Sequence, residues 1–158
     1  MGEIVIGSDK SGYALKEQLK QYLDSEGIKY IEVGTTDVEN PKPFFVTAPE
    51  AVNSILSGEA EKAILICGTG MGMAQVSGKF KGIRSACVES TYAARMCRAV
   101  NNSNVLCLGG WFIAPELGIE MCKEFMRTEH TEGLEEWRKG WLKNALEEVN
   151  ALEDRIFG

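Results

Sequence analysis

Ile64-Leu65-Ile66-Cys67-Gly68-Thr69-Gly70-Met71-Gly72-Met73 is the stretch on which the reading of this chain turns. Its apolar opening, from Ala63 to Cys67, reads as a strand buried on both faces, as a parallel sheet requires. Glycine then stands at 68, 70 and 72. Such spacing clears side chains from the backbone, so that N–H groups can gather round an anionic oxygen. The start of the next helix adds the positive end of its dipole. Cys67 stands where a thiolate is stabilised, so its pKa is expected to fall. A reactive base beside an oxyanion cradle is the signature of an enzyme. The same residues also describe a plain glycine turn with an inert core cysteine at the strand end.

Outward from this turn, short apolar strands alternate with helical stripes. Ile4-Val5-Ile6 is a strand ending in Gly7-Ser8-Asp9, and Tyr13, Leu15, Leu19, Tyr22 and Leu23 mark a helix from Gly12 to Glu26, closed by Gly27. Tyr30 to Val33 is a second strand, followed by Gly34-Thr35-Thr36. The loop Asn40 to Pro43 leads to a helix through Ala51, Val52 and Ile55. Beyond the glycine turn a helix reaches about Lys79. A strand from Ile83 to Val88, a helix from Ser90 to Ala99 and a strand from Val105 to Leu108 follow. Gly109-Gly110 then precedes a helix from Pro115 to Arg127, with proline in its first turn. This alternation predicts an α/β domain spanning 1–158, with a five-stranded parallel sheet and helices on both faces. Ligands in such folds sit beyond the carboxyl ends of the strands. Ser8-Asp9-Lys10, Gly34-Thr35-Thr36, Cys67 to Gly70 and Glu89-Ser90 fall there.

The tail differs. Over residues 133–156, Leu134, Trp137, Trp141, Ala145, Val149, Leu152 and Ile156 recur at three-four spacing, which predicts a C-terminal helical arm. The arm either caps its own core or packs on a second subunit. Its two tryptophans favour the subunit contact, because tryptophan is enriched at interfaces.

Composition narrows the function classes. With 158 residues, 44% of them hydrophobic and 25% charged, the chain is long enough to bury a core. A net charge of −6 argues against nucleic acid and against an anionic membrane surface. Five cysteines with no C-x-x-C pair read as reduced thiols, and the lone His130 argues against a histidine-based metal centre. A strand begins almost at once, which leaves no room for a signal peptide, and no apolar run is long enough to span a bilayer. The expected compartment is the cytoplasm.

Six segments, in order, resemble the sugar-phosphate isomerases of the ribose-5-phosphate isomerase B and galactose-6-phosphate isomerase group. They are Ile6 to Gly12, Gly34-Thr35, Ile66 to Met73, Lys79 to Arg84, Thr91 to Arg95 and Asn101 to Leu106. The resemblance implies a Rossmann-like α/β/α sandwich with a C-terminal interface helix. It implies a homodimer, or dimer of dimers, with active sites between subunits. It also implies cofactor-free, metal-free interconversion of an aldose and a ketose, a short sugar or sugar phosphate, through a cis-enediolate. Cys67 matches the family's cysteine base. A relative class uses a glutamate near the position that Met73 occupies here. Thr69 is then expected to pass a proton between substrate oxygens. The backbone of the turn, Gly68 and Gly70-Met71-Gly72, is expected to bind the enediolate, and Asp9 and Asn101 to bind substrate oxygens. Taken singly, Asp9 reads equally well as a cap on the next helix, and Asn101 as a turn former.

The departures carry information. Lys10 stands where the family has histidine after the aspartate. Val100 stands where a histidine precedes the Asn-Asp pair and helps open a furanose ring, and valine cannot transfer a proton. In the stretch Glu132 to Lys139 a glutamate falls where the first phosphate arginine is expected, leaving Arg138 or Lys139 as the second. Either the anion is gripped through Lys10 with Arg138 or Lys139, or the substrate is not phosphorylated. An open-chain tetrose derivative would need no ring opening. The alternative, from another class, is a non-catalytic or partner-dependent sugar-phosphate-binding subunit of the same fold; epimerisation through the same enediolate also fits.

Overall fold

The computed structural model describes residues 3–158. Five strands, β1 (Ile4–Ser8), β2 (Tyr30–Gly34), β3 (Lys62–Cys67), β4 (Ser85–Cys87) and β5 (Val105–Gly109), form one sheet in the order β2-β1-β3-β5-β4. Every pairing is parallel. The three inner strands are buried along their whole length, the consequence of apolar runs covered on both faces.

Helices α1 (Tyr13–Ser25), α4 (Thr91–Ala99) and α5 (Pro115–Arg127) cover one face, where Leu15, Leu19, Met121 and Phe125 pack on Ile4, Ile6, Ile64 and Ile66. Helices α2 (Phe44–Leu56) and α3 (Met71–Ser77) cover the other, where Ala48, Val52 and Met73 pack on Val5, Leu65 and Cys107. This is the expected Rossmann-like α/β/α sandwich. Alternation along β3 sends Ile64 and Ile66 to one face and Leu65 to the other. Each is fully buried and contributes about 1.5–3 kcal/mol of apolar stabilisation. A sixth helix, α6 (Glu136–Phe157), follows.

Several boundaries differ from the sequence reading, three of them with a visible cause. Strand β4 begins at Ser85 rather than Ile83, because the Asn104 side chain captures the segment before it. Asn104 Oδ1 accepts the Arg84 N–H at 2.8 Å, and its amide donates to the Gly82 carbonyl at 2.9 Å. Helix α3 stops at Ser77, whose hydroxyl donates to the Met73 carbonyl at 2.6 Å and lies 2.6 Å from Ser85 Oγ. Helix α6 starts at Glu136, three residues later than the arm's expected start. Thr131 (φ 70°) and Gly133 (φ 75°) hold a left-handed turn there.

Candidate active site

The strand order places a topological switch between β1 and β3: the chain leaves β1 for β2 on one side, and β3 flanks it on the other. Ligands bind in the crevice at the carboxyl ends of such a strand pair. Pairing continues one residue past β1, where the Asp9 N–H donates to the Ile66 carbonyl at 3.2 Å. Asp9 and Cys67 therefore stand opposite each other on adjoining strand ends, roughly 4.8 Å apart along the hydrogen-bonding direction.

Cys67 is 5% exposed, and its Sγ accepts the Gly70 N–H at 3.2 Å. This contact depends on Gly70 lying at φ 79°, the left-handed region. A Cβ there would also come within 3.0 Å of Cys87 Sγ and of the Leu108 backbone. The Met71 N–H is turned to Thr69 Oγ1 at 3.2 Å. Of the amides expected to receive an oxyanion, those of Gly70 and Met71 are thus engaged, while no protein acceptor faces the Gly72 N–H among the described residues. The Phe44 ring closes on Gly72, where a Cβ would sit 3.0 Å from two of its carbons.

Asp9 serves the turn into α1. Its Oδ1 accepts the Gly12 N–H at 2.9 Å and so fixes the turn into α1, while it stays beside Cys67. Burial raises its pKa above the usual carboxylate value, partly offset by the Gly12 and Ser11 amides. Lys10 is exposed at the rim.

Three residues at this end escaped the sequence reading. Phe44 is one. Cys87, at the end of β4, donates its thiol to the Thr69 carbonyl at 3.6 Å and props the turn from below; burial raises its pKa. Trp111 lies against Gly68. Gly109-Gly110 at a strand end was the available signal for a close backbone approach just before that tryptophan.

Asn101, Arg138 and Lys139 are not brought to this crevice. Helix α4 runs back antiparallel to the strands, and the Asn104 carbonyl accepts the Ala63 N–H at 2.9 Å, at the opposite end of β3. Cys67 lies four residues further along, about 13 Å away at strand rise. The Thr131 N–H donates to the Ala99 carbonyl at 2.8 Å, which brings the approach to α6 to the same far end. Buried Arg98 clamps that cluster by donating to the carbonyls of Thr128 (3.1 Å) and Ser103 (2.6 Å) and to Asn102 Oδ1 (3.0 Å). There Arg138 lies 3.5 Å from Glu135, and Lys139 lies 3.1 Å from Glu136. His130 is lodged against the Val100 backbone, its pKa lowered chiefly by burial.

Helix α6 stands off the body. Leu142 is its one buried residue, and its far end is held by Glu153 accepting the Gly82 N–H at 2.7 Å and Asp154 pairing with Lys81 at 2.7 Å. Between these anchors lies an apolar groove of about 810 Å³, bounded by β4, α4 and by Trp141, Ala145 and Val149 of α6. Asn101 lines it and Cys67 does not. Among the described residues no His, Cys, Asp and Glu cluster could hold a metal, and no helix is long and apolar enough to cross a membrane.

The chain is similar to known proteins of one family. The Ribose/Galactose Isomerase family profile matches residues 4–140. The chain is 56% identical over 155 residues to a 4-deoxy-4-sulfo-D-erythrose isomerase of Clostridium sp. (strain MSTE9), covering 98% of each. It is 35% identical over 129 residues to D-erythrulose-4-phosphate isomerase 2 of Mycolicibacterium smegmatis, covering 80% of this chain and 85% of the other. The crystal structure of a ribose 5-phosphate isomerase from Thermotoga maritima superposes with a TM-score of 0.85 at 33% identity, covering 95% of this chain and 98% of that one. On its sheet order and these matches, the chain belongs to the ribose/galactose isomerase family and is an aldose–ketose isomerase.

Proposed function

We propose that this enzyme interconverts an open-chain four-carbon aldose bearing a terminal sulfonate and the corresponding ketose, with Cys67 as base and without a cofactor. The observation that carries the chemistry is the Cys67 thiol, buried at the β1–β3 switch with the Gly70 N–H on its sulfur and Asp9 beside it. As thiolate, Cys67 removes the C2 proton of the aldose. The C–H electron pair becomes the C1=C2 bond, and the carbonyl pair moves onto O1. Thr69 relays a proton from O2 to O1. Cys67 then returns its proton to C1, leaving the carbonyl at C2. The unengaged Gly72 N–H supplies fixed stabilisation to the enediolate oxygen, worth more in a dry site than in water.

The substrate reading rests on two observations. The 56% identical relative is named for 4-deoxy-4-sulfo-D-erythrose, and Val100 stands where the family resemblance implies a ring-opening histidine. A sulfonate on C4 replaces the hydroxyl that would close a five-membered ring, so no ring has to be opened. A sulfonate also carries a single charge, against about −1.5 to −2 for a phosphate ester at pH 7. That lower charge suits a chain in which carboxylates engage Arg138 and Lys139 and exposed Lys10 waits at the rim.

The active assembly in this reading is a homodimer. Asn101 and Arg138 lie at the far end of the sheet from Cys67, so a second copy completes each site. Trp137 and Trp141, 69% and 65% exposed on α6, supply the apolar contact surface. Five free thiols support a reducing, cytoplasmic setting.

The test is turnover of 4-deoxy-4-sulfo-D-erythrose in D2O, followed by NMR. Ketose formation with deuterium at C1 is expected from the wild type, and a loss of about 100-fold or more from Cys67→Ser. Unchanged turnover in that variant ends the mechanism. Fast turnover of cyclic D-ribose 5-phosphate, unlimited by ring opening, ends the open-chain reading.

A further inference from the structure

The loop after β5 is fastened to the catalytic turn along its backbone. The Gly110 N–H donates to the Cys67 carbonyl at 2.7 Å, the Trp111 N–H to the Gly68 carbonyl at 3.0 Å, and the Ile113 N–H to the Gly109 carbonyl at 3.0 Å. On its other side this loop touches the turn between β1 and α1, since a Cβ on Gly110 would come within 2.8 Å of the Ser11 carbonyl. The loop is thus wedged into the crevice that holds Asp9 and Cys67, and it has little freedom to swing away.

The loop carries two large aromatic side chains, Phe112, which lies over Gly109, and Trp111, which lies over Gly68. The space that a side chain on Gly68 would fill is taken by the indole: a Cβ there would lie 2.5 Å from Cε2 and 2.7 Å from Cδ2 and Cζ2. Two of these atoms form the fused bond of the ring system, so the turn beside Cys67 meets the middle of the indole face. The opposite side is open, with the residue 71% exposed. A large, flat, apolar group fixed at the crevice and left uncovered is not serving the core. Phe44, closing on Gly72, forms a second aromatic boundary on the far side of the turn.

The geometry points to Trp111 as a specificity-determining residue: its indole is the wall that ends the substrate's carbon chain at four carbons. This inference rests on the proposed four-carbon substrate and deepens it. A substrate whose C1 and C2 lie against Cys67 extends along the turn, and one further hydroxymethylene unit would collide with the ring. Excluding one such unit by shape is worth about 10- to 200-fold in kcat/KM.

The test compares kcat/KM for 4-deoxy-4-sulfo-D-erythrose and D-ribose 5-phosphate in wild type, Trp111→Ala and Trp111→Phe. The ratio of five-carbon to four-carbon activity is expected to rise about 10-fold or more in the alanine variant. It is expected to stay near the wild-type value with phenylalanine, which keeps a wall. If the alanine variant does not fold, Trp111→Leu takes its place. An unchanged ratio in the small-residue variant overturns the assignment, as does a phenylalanine variant that relaxes as far as alanine. Should the wild type ignore the sulfonated tetrose, the proposed substrate falls. The ratio of deuterium exchange into D-ribose and D-erythrose then still decides whether Trp111 sets chain length.

Discussion

Mixing two inactive variants should restore activity. In the proposed mechanism Cys67→Ala removes the base at one end of the sheet, and Asn101→Ala removes the proposed substrate ligand at the other. Within one chain the two ends cannot meet. The Asn104 backbone is bonded at the start of β3, about 13 Å of strand rise from Cys67, and the nine residues of α4 separate the ends by about the same length. If each site draws Cys67 from one copy and Asn101 from the other, a hybrid dimer carries one intact site and one doubly broken site. Free subunit exchange makes half of all dimers hybrids, so the mixture recovers about a quarter of wild-type activity. The assay is ketose formation by NMR after exchange in mild urea and dilution, with hybrid content counted by native mass spectrometry. Hybrids present at the expected share, with activity no higher than the mean of the two parents, would refute the composite site.

Three further outcomes follow from the geometry. Gly70→Ala forces a side chain into the left-handed region against Cys87 Sγ and the Leu108 backbone; it should cost at least about 1–2 kcal/mol in a urea melt and lower kcat, and an unchanged melt would contradict the strain assigned there. Arg98→Leu strands the acceptors of Thr128, Ser103 and Asn102; a loss of about 3 kcal/mol or more is expected, with KM rising as the Asn101 turn loosens, and a loss below about 1 kcal/mol would remove the clamp's importance. Asp9→Asn tests a pH dependence. Burial holds the folded-state pKa of Asp9 above its usual 3.8, so stability tied to its proton is present below that value and is lost as pH rises through the raised one. Asparagine keeps an acceptor for the Gly12 N–H without the desolvated charge. Its Tm relative to wild type should therefore be higher at pH 7 than at pH 4, and an equal difference at both pH values counts against a desolvated carboxylate.

The strands, their parallel pairing and the glycine turn were legible because each rests on local signals: apolar runs bounded by glycine, three-four stripes closed by Gly27 or opened by Pro115, and the spacing at 68, 70 and 72. Ser90 reads as a helix start from its residue type, and its hydroxyl does accept the Ala93 N–H at 3.0 Å. The Asn104 hold on residues 82–84 was not legible, because it joins segments some twenty residues apart. It moved the start of β4 by two positions.

Sequence alone determined the class of sheet, the strand end that carries Cys67 and the pairing of that thiol with a side-chain-free turn, since backbone preference and apolar period act within a few residues. Only the tertiary structure decided which candidates share a crevice. Strand order put Asp9 beside Cys67, and the reversal of direction along α4 carried Asn101 and Arg138 to the other end of the sheet. Loop packing laid Trp111 on Gly68. Those outcomes depend on which segments become neighbours when the apolar faces are buried, and that pairing is a property of the whole chain.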